Sequence, residues 1–354
     1  MIGRRFGSLS ACLALAATAL AGPAAAQSAS DPTQSRGPIP IRDSRPFNLL
    51  FLQFVPESAD TLRSRANRYD LQFDIANNTL IPNPGGGTAV VEDNEYQRLR
   101  FAWRHGLDSR TELAAFTSLE WRDGGILDGI IKAYHHLLGI AANSDDVPLG
   151  RDHFPLYQSK LEIVDTANGH ALVDQGNAIG LGETMVTLKR RLTAGAGRGA
   201  IAVRIAVKAP TGNPTLLLGS GRFDAGATID GRYNLGRDVT LYGNLGYALL
   251  GRAGRVPSSR PNTVETLAAL EYHPNHRDDY VLQVDGNGDY VLTGNSFADR
   301  SNVTLTFGYR RVIDRKTIAH ISISESGHLF EFNAPSIANI GPEFTLSTGV
   351  TLLR

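Results

Sequence analysis

One cysteine, Cys12, is the whole thiol content of this 354-residue chain. No internal disulfide can form, and thiol chemistry would rest on one residue near the N-terminus. After the first few dozen residues no stretch is apolar enough for a membrane helix, which needs about 20 such residues. A surplus of charge is also missing: 35 basic residues stand against 35 acidic ones, so nothing in the balance points to nucleic acid as a partner. A phosphate cradle is lacking as well. Gly195-Ala196-Gly197-Arg198-Gly199 falls between two strand patterns and not before a helix. No cofactor-binding or metal-binding motif is present, and the expectation is no cofactor.

What is present begins with an export signal. Arg4 and Arg5 precede a short apolar core, Leu9 to Ala21, and Ala24-Ala25-Ala26 offers a small-residue cleavage site. Such a core is too short to span as a helix. Leu9-Ser10-Ala11-Cys12 imitates a lipoprotein box, but the apolar core follows Cys12 where it should precede it. Cleavage before Gln27 removes the cysteine and leaves 33 basic against 35 acidic residues. The chain divides into a signal (1–26), an N-terminal segment (27–66) and a barrel (67–354). In the second part, 28–46 is rich in Ser, Pro and Arg and reads as mobile. The dense run FNLLFLQFV at 47–55 reads as a short strand or plug, packed inside the barrel or at its periplasmic mouth.

From 67 to the end, stretches of roughly ten residues alternate apolar and polar, the period of a strand with one oily and one wet face. Twelve are expected: 68–76, 96–105, 111–121, 183–193, 200–209, 223–233, 239–249, 263–273, 279–285, 301–311, 317–325 and 343–353. The links alternate between tight ones (106–110, 194–199, 234–238, 274–278, 312–316) and long ones. This alternation holds if 122–182 is a single outer excursion with a small hairpin at 160–165 and 171–174 outside the membrane wall. Short turns on one side and long loops on the other are the pattern of an outer-membrane barrel. The expected fold is thus all-β: a transmembrane antiparallel β-barrel of about 12 strands, with both ends periplasmic and outer-membrane lipid as its surroundings. One helical pattern interrupts it at 125–139, where Leu127, Ile130, Ile131, Tyr134, Leu137 and Leu138 recur at three and four. It is too short to cross a bilayer. A mean hydropathy of −0.16 suits a barrel, in which half of each strand and all loops face water.

The faces can be assigned from charge. Leu99, Phe101 and Trp103 alternate with Arg98, Arg100 and Arg104; Ile201, Val203, Ile205 and Val207 alternate with Arg204 and Lys208. Leu188 and Leu192 oppose Lys189 and Arg191; Val303, Leu305, Phe307 and Tyr309 oppose Arg310. A charge facing mid-bilayer lipid costs on the order of 2–4 kcal/mol, which sends the basic faces inward. The expected lumen lining is Arg98, Arg100, Arg104, Lys189, Arg191, Arg204, Lys208 and Arg310, with Asp70, Asp74, Glu112 and Glu120 as counter-charges. Two readings follow: a salt-bridged, plugged structural barrel, or a passage or binding site that favours anions. Strand number does not decide between them.

Other signals are weaker. Asp285-Gly286-Asn287-Gly288-Asp289 imitates a calcium loop, but position 296 is Ser where a Glu is needed, so an inter-strand loop is expected. His135 and His136 are adjacent and do not share a helix face. His273 and His276 flank Pro274 in a tight turn. His320 and Ser322 share a strand face, but the sequence supplies no acidic orienter or oxyanion hole for them, and no catalytic residue is assigned.

Several stretches carry a resemblance: Arg45-Pro46-Phe47-Asn48-Leu49 with Pro56-Glu57-Ser58-Ala59, Gly124 to Ile131 followed by His135 or His136, Gly180-Leu181-Gly182-Glu183-Thr184, Lys208-Ala209-Pro210-Thr211-Gly212-Asn213, and Gly219 to Ala225. Over most of the mature length the chain resembles a family of uncharacterised bacterial outer-membrane barrel proteins, classed as a domain of unknown function. The last two motifs are also similar to those of outer-membrane proteins linked to aromatic-compound (phenol meta-cleavage) pathways. The resemblance implies an outer-membrane barrel that passes or binds small hydrophobic or anionic solutes. The alternatives are an envelope-maintenance barrel with a plugged lumen and a barrel-embedded hydrolase. Such barrels usually end in an aromatic residue; here the end is Thr351-Leu352-Leu353-Arg354. Oligomeric state is not legible.

Overall fold

The computed structural model describes residues 36–80, 87–130, 133, 156–194, 197–294, 299, 301–326 and 342–354. The expected signal therefore lies outside the described residues. So do His135, His136 and most of the helical pattern, of which 128–130 and 133 are helical.

Fifteen strands form: β1 (Asn67–Leu80), β2 (Thr88–Gly106), β3 (Thr111–Asp123), β4 (Lys160–Asp165), β5 (His170–Gln175), β6 (Ala178–Leu181), β7 (Thr184–Arg191), β8 (Gly199–Ala209), β9 (Asp224–Asn234), β10 (Val239–Leu249), β11 (Asn262–Tyr272), β12 (Asp278–Asn287), β13 (Asn302–Val312), β14 (Thr317–Ser326) and β15 (Pro342–Leu353). Twelve of them make the wall. β1 pairs with β15, the run continues strand by strand back to β7, β7 pairs with β3, and β3 with β2 closes the ring. All pairings are antiparallel. Closure removes both sheet edges, the condition for a sheet in lipid.

The turns near the chain ends are tight. Leu107, Leu235 and Ile313 each donate a backbone N–H to the carbonyl four residues on, at Thr111, Val239 and Thr317 (2.8–3.0 Å). The outward positions carry Leu71, Phe101, Ile205, Val207, Ile229, Leu245, Leu282, Phe307, Ile321 and Val350, all exposed. These form the apolar belt. Tyr272 and Tyr280 lie on the same surface near the tight turns, the level of an interfacial girdle.

The wall departs from the expected pattern in two places. β1 and β2 run on to Leu80 and back to Thr88, past the polar stretch read as a loop. There β4 pairs with Thr88–Asp93 of β2, and β5 pairs with β4, so the small outer hairpin prolongs the wall upward. Between β6 and β7 the chain bulges. Leu119 faces Leu181 while Phe116 faces Met185, so three residues stand against two. The bulge reverses the inside–outside alternation and turns Glu183 inward. Gly182 permits it, since a Cβ there would lie 2.4 Å from Glu120 Oε1.

The lumen is filled by the N-terminal segment. It enters at the tight-turn end, where Arg36 pairs with Asp279. It rises past Ile39, whose backbone N–H donates to Gln283 Oε1 (3.0 Å), and turns at a 3-10 turn, Asn48–Leu50. It then descends: Leu52 N–H to Asp224 (2.7 Å), Phe54 N–H to Glu265 (2.8 Å), Leu62 N–H to Glu112 (2.8 Å). The run at 47–55 is thus a plug with no strand. Phe47, Leu50, Phe51, Leu52, Phe54 and Val55 share one apolar core with Val90, Leu161, Ile163, Leu217, Leu250, Tyr290 and Val291 from the wall's upper end and its loops. Each such side chain contributes about 1.5–3 kcal/mol on burial. The tether expected to be mobile at 28–46 is, from Arg36 on, packed against the wall, because Ile39 and Ile41 bury against Leu267, Ala269 and Val281.

Candidate functional site

All eight basic residues expected in the lumen lie on inward faces, and each meets a carboxylate. Arg98 and Arg100 share Asp74 (3.2 and 2.9 Å). Arg104 pairs with Glu57 (3.3 Å) and Asp70 (3.6 Å). Lys189 pairs with Glu57 (3.0 Å) and Glu112 (3.2 Å). Arg191 reaches Asp60 at 4.0 Å. Arg204 pairs with Glu57 (3.2 Å) and Asp230 (3.1 Å). Lys208 pairs with Glu183 (2.9 Å) and Asp224 (3.3 Å), and Arg310 with Glu271 (2.9 Å). The expected counter-charges Asp70, Asp74 and Glu112 take part. Glu120 instead accepts hydrogen bonds from Tyr96 Oη (2.6 Å) and Ser118 Oγ (2.7 Å).

The same cations also hold the plug. Arg204 donates to the Val55 carbonyl (2.8 Å), Lys208 to that of Leu50 (3.0 Å) and Lys189 to that of Ser58 (3.3 Å); Arg100 and Arg310 donate to the carbonyls of Pro40 and Gly37. An extended segment with no ladder partner has its carbonyls satisfied by wall cations. One ring of the plug adds to this, since the guanidinium of Arg204 lies 5.9 Å from the centre of Phe54; that of Arg104 lies 5.3 Å from Phe116 on β3 of the wall.

Glu57 is the hub. It sits on the luminal segment, outside the strands, with three cations around a carboxylate whose side chain is 2% exposed. Burial alone would raise its carboxyl; Arg104, Arg204 and Lys189 outweigh that and hold it below the ordinary carboxylate range. The sequence marked the cations but not Glu57, Asp60, Glu183, Asp224, Asp230 or Glu271. Glu183, Asp224, Asp230 and Glu271 do lie on inward faces, a signal the alternation carried.

Below the plug a cavity of about 1090 Å³ opens at the tight-turn end. Its wall includes Arg36, Arg63, Arg68, Arg104, Lys189, Arg191, Arg232, Arg237, Arg310, Arg315, Lys316 and Arg354 against Glu57, Asp60, Asp70 and Glu112. With Arg36 and Arg310 paired to Asp279 and Glu271 behind the lining, ten basic side chains still face four acidic ones, so the vestibule is basic although the chain as a whole is neutral.

The remaining candidates resolve as follows. Asp285 and Asn287 belong to β12 and Asp289 lies just past its end; Asp285 accepts from Gln283 (2.8 Å) and Asp289 from Arg260 (3.0 Å), so the calcium-like stretch straddles a strand end and the inter-strand loop after it. Glu271, His273 and Asp279 bring possible ligand atoms within 4.8 Å of one another. Arg310 and Arg36 already pair with the two carboxylates, which makes the cluster an ion-pair network. His320 Nε2 and Ser322 Oγ find no hydrogen-bond partner among the described residues, and no carboxylate orients the imidazole there.

Known proteins match this architecture. A COG4313 outer membrane channel from Pseudomonas putida F1 superposes with a TM-score of 0.54 at 12% identity, over 85% of this chain and 100% of that one. The NanC porin matches at 0.44 and 8% identity, over 80% and 98%. The CymD monoaromatic hydrocarbon channel matches at 0.39 and 9% identity, over 83% and 89%. At these identities the likeness is one of fold, and it rests on the first. No curated protein matches by sequence. The family model described as "Protein of unknown function (DUF3187)" matches residues 15–338, nearly the whole chain. The chain, with its closed twelve-stranded wall, apolar belt and luminal N-terminal segment, has the fold of an outer-membrane β-barrel and belongs to the DUF3187 family.

Proposed function

We propose that this protein is an outer-membrane barrel that admits small anionic solutes and is closed at rest by its own N-terminal segment. The observation that carries the reading is the basic vestibule of about 1090 Å³. A low-dielectric wall focuses the field of unbalanced charge and concentrates anions at the mouth. Ten of its lining residues are arginines, which favours an anionic over a neutral solute at the mouth. Above the vestibule the path continues along Arg104, Lys189, Arg204 and Lys208, now occupied by the plug. The COG4313 protein of similar fold is, by its name, a channel.

The plugged structural barrel is the second reading, favoured by the apolar core that the segment shares with the outer loops. Planar-bilayer recording separates the two. In a salt gradient the full chain is expected to show rare openings whose reversal potential marks anion preference. A variant lacking 36–62 should conduct steadily with the same sign. Cation preference, or silence in a deletion variant that still migrates faster unboiled than boiled, would favour the structural barrel.

A further inference from the structure

The hub at Glu57 has the chemistry of a ligand site with the ligand tethered. Arg104, Lys189 and Arg204 come from β2, β7 and β8, and converge on one carboxylate at 3.3, 3.0 and 3.2 Å. Their side chains are at most 9% exposed. Each cation is fixed from behind: Arg104 by Asp70, Lys189 by Glu112, Arg204 by Asp230. The wall thus orients the three donors without help from the plug. Arg68 joins through Asp70 (2.9 Å). Within this network four cations face Asp70, Glu112, Asp230 and Glu57. Without Glu57 four cations face three carboxylates, so the wall alone is short of one negative charge. The segment supplies it through Glu57, whose backbone groups meet a neutral partner: Glu57 N–H donates to Asn244 Oδ1 (3.1 Å), and Asn244 Nδ2 to the Glu57 carbonyl (2.9 Å). The vestibule reaches this point, since Glu57, Arg104 and Lys189 all line it.

We propose that the Arg104–Lys189–Arg204 cluster is a binding site for small monocarboxylates, which Glu57 occupies in the closed state. A carboxylate arriving from the vestibule competes with Glu57, and its binding favours withdrawal of the segment. The site deepens the anion-admitting reading and rests on it for its role, though not for binding itself. Three planar or ammonium donors around two oxygens match a carboxylate better than a spherical halide.

The test uses sodium acetate as probe and sodium chloride at equal ionic strength as control, on the full-length protein in detergent. In Glu57→Ala the wall site is empty and one charge short. Acetate should raise its melting temperature saturably, by on the order of 2–4 °C, with chloride doing far less. Glu57→Gln keeps the side chain in place and should not respond. In the unaltered protein, acetate should instead speed trypsin cleavage after Arg42, which lies in the luminal segment; this readout needs no variant to fold. Equal effects of acetate and chloride in both assays would overturn the proposal, as would a Glu57→Gln response equal to that of Glu57→Ala. Bilayer silence alongside a positive acetate result would sink the passage and keep the site.

Discussion

Glu57 shows at the scale of one residue how a buried charge is tolerated. Its partners come from three strands, and removing it would leave buried cations uncompensated. Breaking such a pair costs about 3–5 kcal/mol. The sign of its pH dependence follows from its carboxyl being held below the ordinary value of 4.5. A depressed carboxyl stabilises the docked segment above the ordinary value and loses that contribution as pH falls through the folded one. Acid-stable protease added across a descending pH series should therefore begin to cut within 36–62 below about 4.5 in the unaltered protein. Glu57→Gln should flatten that dependence. A cutting profile identical in both proteins would show that other carboxylates hold the segment.

At the scale of elements, the strand faces make a sharp prediction. Leu305 points outward on β13 and Thr306 inward, the latter fully buried. Leu305→Arg should cost on the order of 2–4 kcal/mol in a detergent or lipid unfolding titration. Thr306→Arg is not the harmless control a hollow lumen would make it, because the interior at that level is filled. Ser109→Arg, exposed at the vestibule rim, should cost about 0.5 kcal/mol or less, as exposed positions do. Equal losses at Leu305 and Ser109 would contradict the assigned faces. The twelve wall strands and their inner cations were legible in the sequence because alternation is local and charge has only one tolerable side in lipid. The upper part of β2 was not. Glu92, Asp93, Asn94 and Glu95 are polar on both faces, and their pairing with β4 is long-range. The β6–β7 bulge was hidden for a related reason: it breaks the very period that marks a strand. Glu57, the partner shared by three inner cations, was missed because it lies in a coil, where no period points its side chain anywhere.

At the scale of the molecule, wall and plug explain each other. An extended segment cannot stay in a lumen unless its carbonyls and carboxylates are met, and a lumen this basic cannot be closed without anionic or carbonyl partners. The segment from Arg36 to Glu57 supplies both, so the charges that seal the barrel are those that would line it when open. If the segment is a movable gate, a disulfide that pins it to the wall should hold the barrel shut. Ile39 packs directly over Gly308, where a Cβ would meet its side chain, so cysteines at Ile39 and Gly308 face each other across plug and wall; Cys12 is the only native thiol. The measurement is the bilayer conductance of that double-cysteine variant before and after reduction. Silence is expected when oxidised and anion-selective openings when reduced. The same current in both states, or none in either, would contradict it.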